Sequence, residues 1–346
     1  MIGKKKHSTF IIILLILCGK NDSFSQINYI NYHKEVIKAE DLFLQGQINS
    51  SLKYYTDIFK RFEKPFAKDC YIALQLACMQ NDTNKATFFF KKSFESGINW
   101  SSLKFSSYIY TLLKNNFSYS EKISQLYKTG REKYLKNINW SLRDSIINLL
   151  KKDWYFKKNH SWTNKTDRYP KYVQALDENI VKLELLSKRY GFPGEHMIGI
   201  KDPELDTCDP SFFWRLSSLS SLILFHHRCG YGLMEQELKK ALIDGELNPR
   251  EFALIYEFSY ADYKEYVGHY SSNHNNFNYK VNCTFQNDSV KFYDIFIKKL
   301  FYCNDSIVVN AFRKEIGMSS LNHDKRKRTF ARDNHLILFF GQFDNL

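Results

Sequence analysis

Between Ile37 and Gly97 the apolar positions repeat on a stride of about 35 residues. Ala39, Leu42, Phe43, Ser51, Tyr55 and Ile58 form a first set, and Ala73, Leu76, Ala77, Ala86, Phe90 and Ser93 a second. Ser51 thus matches Ala86, and Tyr55 matches Phe90. Ala39-Leu42, Ser51-Tyr55-Ile58, Ala73-Leu76 and Ala86-Phe90-Ser93 step by three or four, the period of a helix with one buried face. Small residues where helices cross, followed one turn later by an aromatic that fills the groove, are what stacked helix pairs require. From Trp100 to Asn137 the helical spacing continues through Leu103, Tyr108, Leu112, Ile123 and Leu126, less regularly, as in a terminal unit whose outer face meets solvent.

Residues 159–170 are polar, contain Pro170 and read as a linker. Beyond them, Lys171 to Tyr190 predicts an amphipathic helix with Val173, Leu176, Ile180, Leu183 and Leu186 on one stripe. Gly191-Phe192-Pro193-Gly194 ends it, since glycine accepts the left-handed cap and proline cannot continue the ladder. Further helices are predicted from Leu216 to His227, from Leu233 to Asp244, and from Pro249 to Phe258 with Asn248 as its cap. With only 14 glycines for tight hairpins, the pattern predicts an all-α protein. Its expected parts are a leader over 1–25, a helical repeat over 26–159 and a compact helical domain over 160–346.

The front resembles a tetratricopeptide repeat. Gly46-Gln47-Ile48-Asn49 and Asn81-Asp82-Thr83-Asn84 fall at the turns between paired helices, and an ordinary helical hairpin bundle is the alternative. The leader has Lys4, Lys5 and Lys6, an apolar run from Phe10 to Leu17, and Ser23-Phe24-Ser25 before Gln26. That is the layout of a secretory signal, with an apolar run too short to span a bilayer. Leu15-Ile16-Leu17-Cys18 offers a second reading as a lipobox in which Cys18 carries lipid. Export to the periplasm or beyond, with cleavage before Gln26, is the expectation.

Charge and cysteine content are read in that setting. The formal charge is +13, and the leader's Lys4, Lys5, Lys6 and Lys20 against Asp22 take three of those units away. The remaining balance permits weak association with anionic envelope surfaces and gives no specific nucleic-acid partner, because lysines and acids are interleaved. The single dense run, Lys325-Arg326-Lys327-Arg328 with Arg332, is expected to be a solvated loop. Without Cys18 the cysteines are Cys70, Cys78, Cys208, Cys229, Cys283 and Cys303, an even set that permits disulfides. Cys70 and Cys78 lie about 12 Å apart along one helix, beyond disulfide reach, and are expected to be buried apolar groups. Cys208 with Cys229 and Cys283 with Cys303 are the candidate pairs.

The second half resembles a helical domain of unknown function found in exported Bacteroidota-type proteins after tetratricopeptide-like repeats. The matching pieces are Asp177-x-Asn179, Gly191-Phe192-Pro193, His226-His227, Ala253-Leu254-Ile255-Tyr256-Glu257, Tyr270-Ser271-Ser272-Asn273 and Asn310-x-x-Arg313-x-x-Ile316-Gly317-Met318. Phe258 stands where that family has an arginine. The resemblance implies a fold and carries no activity.

Candidate chemistry is sparse. His226 and His227 end an apolar helix, where the helix dipole favours a cation and would raise a histidine pKa. There His227 could work as acid or base with Glu257, with Tyr270 and Asn273 completing a small-ligand or hydrolase-like site; a plain helix cap explains the same placement. His269 and His274 with His196 or Asp262 make a weak metal proposal, and no Cys-x-x-Cys pair supports zinc. No Gly-x-Ser-x-Gly elbow, His-Glu-x-x-His or phosphate-binding glycine loop occurs. The sequence therefore favours a non-enzymatic protein without cofactor or metal, binding a protein or peptide through its helical repeat.

Overall fold

Ser51, Tyr55, Ala86 and Phe90 are all fully buried, each pair at the same place in successive helix hairpins. The computed structural model describes residues 28–159, 169–202, 204–206, 218–227, 230–260 and 306–339. Side chains at some helix ends, Glu257 among them, also lie outside the description, as do the leader with Cys18, most of the expected linker, and Cys208, Cys229, Cys283 and Cys303. The described residues form fifteen helices and no strand; their one β-type contact is an isolated bridge between Ile200 and Ser218. The chain is all-α.

Helices α1 (Tyr29–Leu44) and α2 (Ile48–Arg61) make the first hairpin, α3 (Ala67–Met79) and α4 (Thr83–Glu95) the second. Both turns use one device. Gly46 (φ 79°) and Asn81 (φ 53°) take the left-handed conformation, and the next residue's N–H returns to a helix carbonyl, Gln47 to Leu42 at 2.9 Å and Asp82 to Ala77 at 3.1 Å. Glycine and asparagine are the residues that adopt this cap at least cost. Across the first hairpin the Ser51 hydroxyl donates to the Ala39 carbonyl at 2.7 Å, a close approach that a larger side chain would prevent. After α5 (Trp100–Leu103) come α6 (Ser107–Asn115), which packs on α3, and α7 (Phe117–Asn137), which packs on α4. Cys70 and Cys78 are free and buried in the core these helices share, as their spacing in α3 implied.

A second apolar core joins α8 (Trp140–Asn159), α9 (Tyr169–Tyr190), α10 (Glu195–Ile198), α11 (Leu219–His226), α12 (Gly230–Asp244) and α13 (Pro249–Tyr260). Thus α8, which precedes the polar stretch, shares its core with the helices after it. As expected, Asn248 caps α13, its Oδ1 accepting from the N–H groups of Arg250 and Glu251, both at 3.1 Å. The last described helices are α14 (Ser306–Glu315) and α15 (Leu321–Asp333). No described helix is long and apolar enough to cross a membrane.

The two cores meet over polar contacts. Glu195 caps α3 from the other half of the molecule, its carboxylate accepting the Ala67 N–H at 2.6 Å. Arg143 is fully buried and holds both Asp206 oxygens at 2.8 Å. The basic run departs from expectation: it lies on α15 rather than in a loop, and Lys327 is buried against Glu40 of α1. Its charge pattern resembles a solvated segment because the acid that neutralises Lys327 lies 287 positions away.

Candidate functional site

Tyr71 and Gln75 stand one turn apart on α3, so their side chains share a stripe. Gln75 is fully buried, and a buried amide needs partners for both its ends. It finds them on one residue of the chain's far end: Gln75 Nε2 donates to the Ile337 carbonyl at 2.7 Å, and the Ile337 N–H donates to Gln75 Oε1 at 3.0 Å. Residues 336–339 run without helix after α15. Leu336 and Leu338, flanking the bonded residue, are buried in the first core. Ile337 and Phe339 pack partly against it, with Phe339 edge-on to Tyr71 at 5.9 Å between ring centroids. Nearby, the Tyr108 hydroxyl of α6 donates to the Asn334 carbonyl at 2.9 Å, and Phe43 of α1 meets Phe330 at 5.1 Å. Helices α1 and α6 thus hold the end of α15 through Phe330 and Asn334, while α3 seats the non-helical segment 336–339. Its main chain is held by a side-chain amide and its alternate side chains by apolar contact.

Helix α15 is anchored separately from that extended segment. Lys327 and His323 both pair with Glu40, His323 at 2.9 Å. Burial pushes the Glu40 carboxyl up, yet the Lys327 ammonium and His323 outweigh it and bring its pKa down to about 2. On the other side Asp324 accepts from Arg250, Arg313 and the Ser319 hydroxyl. Desolvation opposes its ionisation, and the two guanidinium groups still hold it well below the usual carboxylate range. The outer side of α15 carries Lys325, Arg328 and Arg332 around a hollow of about 390 Å³, which Leu321, Asp324 and Thr329 also line among the described residues.

Of the residues singled out for catalysis, His227 is described and Glu257 only as part of helix α13; Tyr270, Asn273, His269, His274 and Asp262 lie outside the described residues. His227 Nε2 lies 2.9 Å from Asp177 Oδ1, which joins two of the short motifs of the second half. His227 is buried and Asp177 half exposed. The expected dipole-driven rise of the His227 pKa is not what results: burial lowers it, and the Asp177 carboxylate only partly opposes this. Burial outweighs a helix terminus because desolvation acts on the whole imidazolium while the dipole acts over one turn. His196 is a core histidine, packed at tilted angles between Tyr29 at 5.1 Å and Phe66 at 4.8 Å, and burial lowers its pKa to about 3. Among the described residues no group of three or more His, Cys, Asp or Glu side chains is arranged to hold a metal ion.

No protein-family model, curated protein or solved structure matches the chain. The seat formed by Gln75 and Tyr71 was not among the sequence expectations. The signal that could have found it was Leu336-Ile337-Leu338-Phe339, an apolar run directly after the helix stop at Asn334-His335.

Proposed function

We infer that the chain is an exported, non-enzymatic binding protein whose tetratricopeptide-like front takes up an extended protein or peptide segment in the cell envelope. The observation that carries this reading is the seat on α3. It bonds both main-chain groups of one residue through Gln75 and buries the side chains on either side. Main-chain bonds supply affinity in such recognition, and pockets for alternate side chains supply specificity. Export rests on the leader, with the mature chain starting at Gln26, and the basic side of α15 suits weak attraction to anionic envelope surfaces.

A second reading rests on the 2.9 Å contact between His227 and Asp177. A carboxylate that orients a neutral imidazole is the beginning of an acid–base site, and Glu257, Tyr270 and Asn273 would complete a hydrolase-like or small-ligand centre. One experiment separates the two. Tagged mature protein is used to capture partners from envelope extract, alongside Gln75→Ala and His227→Ala variants. Partners lost with Gln75→Ala and kept with His227→Ala support the front as the binding surface. The reverse pattern moves the function to the His227 site.

A further inference from the structure

We propose that the seat on α3 is a peptide site kept closed by the chain's own residues 336–339, and that its partner is an extended apolar segment of another protein that displaces them. This rests on the binding reading above and adds to it both the class of partner and the means of control.

The argument begins with what the tail contributes. Ile337 has its N–H and C=O bonded by a single side chain, Gln75, at 3.0 and 2.7 Å. Such a contact reads only the main chain, so any residue that is not proline can supply it. Specificity falls on the flanking positions, occupied by Leu336 and Leu338 in the first core, and on the ring contact between Phe339 and Tyr71. A competing segment therefore needs apolar side chains on both sides of one bonded residue and an aromatic two places beyond it.

Helix α15 is anchored independently of the tail. Helix α15 is held to α1 by Glu40 with Lys327 and His323, and to the second half by Asp324 with Arg250 and Arg313. None of these contacts involves residues 336–339. The turn that launches the tail, with His335 at φ 51° and the Leu336 N–H returning to the Ala331 carbonyl at 2.9 Å, belongs to the end of α15. Displacement thus exchanges one short extended segment for another on a fixed seat. Because the tail is tethered, its effective concentration at the seat is on the order of millimolar, so it suppresses weak competitors and yields to well-matched ones.

The test uses the full mature chain and a fluorescein-labelled peptide of residues 330–341, with binding read by anisotropy. In the L336D/L338D variant the chain's own tail can no longer fill the apolar seat. The expected result is peptide binding at least about tenfold tighter than in the wild type, lost again when Gln75→Ala is added, with no binding of a peptide that itself carries L336D and L338D. Equal binding by wild type and variant, abolished by Gln75→Ala, would overturn the occlusion while leaving the front as a binding surface. No binding by the folded variant, or binding indifferent to Gln75→Ala, would overturn both. Should that variant fail to fold by circular dichroism, hydrogen exchange on the wild type decides. Saturating peptide of residues 330–341 should expose the chain's own Ile337 amide, which the seat bonds through Gln75, and leave α15 protected, and unchanged protection of Ile337 refutes the proposal.

Discussion

Arg143 shows what a single residue can hold together. It is the largest fully buried side chain among the described residues, and it reaches from α8 to the loop after α10, where it bonds the Ile200 carbonyl at 3.1 Å and both oxygens of Asp206 at 2.8 Å. A buried pair is worth little against a well-packed apolar replacement, but breaking it leaves a charge without compensation. Arg143→Met should therefore cost about 3–5 kcal/mol in urea denaturation, and adding Asp206→Leu should restore part of that. An equal loss in the single and double variants would mean that the two charges do not act as a pair. Gly194 makes the complementary point about space. A Cβ there would lie 1.8 Å from the Glu246 carbonyl oxygen, so its glycine is required by close backbone contact, while Gly191, at φ 86°, is the residue that caps α9. Both glycines are visible in the sequence as one helix stop, and only the packed structure separates their roles.

At the scale of elements, legibility follows the range of the interaction. The repeated apolar positions, the Asn248-Pro249 start of α13, the glycine stop of α9 and the burial of Cys70 and Cys78 are local consequences of period and capping, and each could be read from neighbours in sequence. Helix α15 could not. Its run of four basic residues looks solvated until Glu40 is brought to Lys327, and the extended tail has no meaning until Gln75 arrives from 262 positions away. His227 lies between these cases: its place at a helix end was readable, and its partner Asp177, from α9, was not. The role of α15 as a staple between the two cores has a measurable consequence. Lys327→Met should lower hydrogen-exchange protection across α15 by on the order of a hundredfold, because Glu40 then stays buried against His323 with its main cation gone. Unchanged protection would show that the Lys327–Glu40 pair does not hold α15, and that His323, Asp324 and apolar contact do so without it.

Over the whole molecule, the seam between the two cores sets how stability responds to pH, because it buries groups of opposite habit side by side. Glu246 accepts the Met197 N–H at 3.0 Å, next in sequence to His196, and burial raises its pKa from 4.5 to about 7 despite that bond and the nearby Lys64. Burial lowers the neighbouring His196 from 6.5 to about 3 and carries His33 well below its ordinary value. The folded state thus binds the Glu246 proton more tightly than the unfolded chain, so that contribution is complete below pH 4.5 and disappears as pH rises through 7. The histidines work the other way. They favour the fold above pH 6.5 in their neutral form, and their contribution falls away as pH drops toward 3. Between pH 4.5 and 6.5 the two trends oppose each other and flatten the curve. Glu246→Gln keeps an acceptor for Met197 and removes the titration. Its stability relative to wild type, from urea denaturation at pH 4.5, 6 and 8, should rise across that series by on the order of 3 kcal/mol, the size of a shift from 4.5 to 7. A difference that stays constant with pH would mean that Glu246 is ionised in the folded seam, and that Lys64 rather than burial governs it.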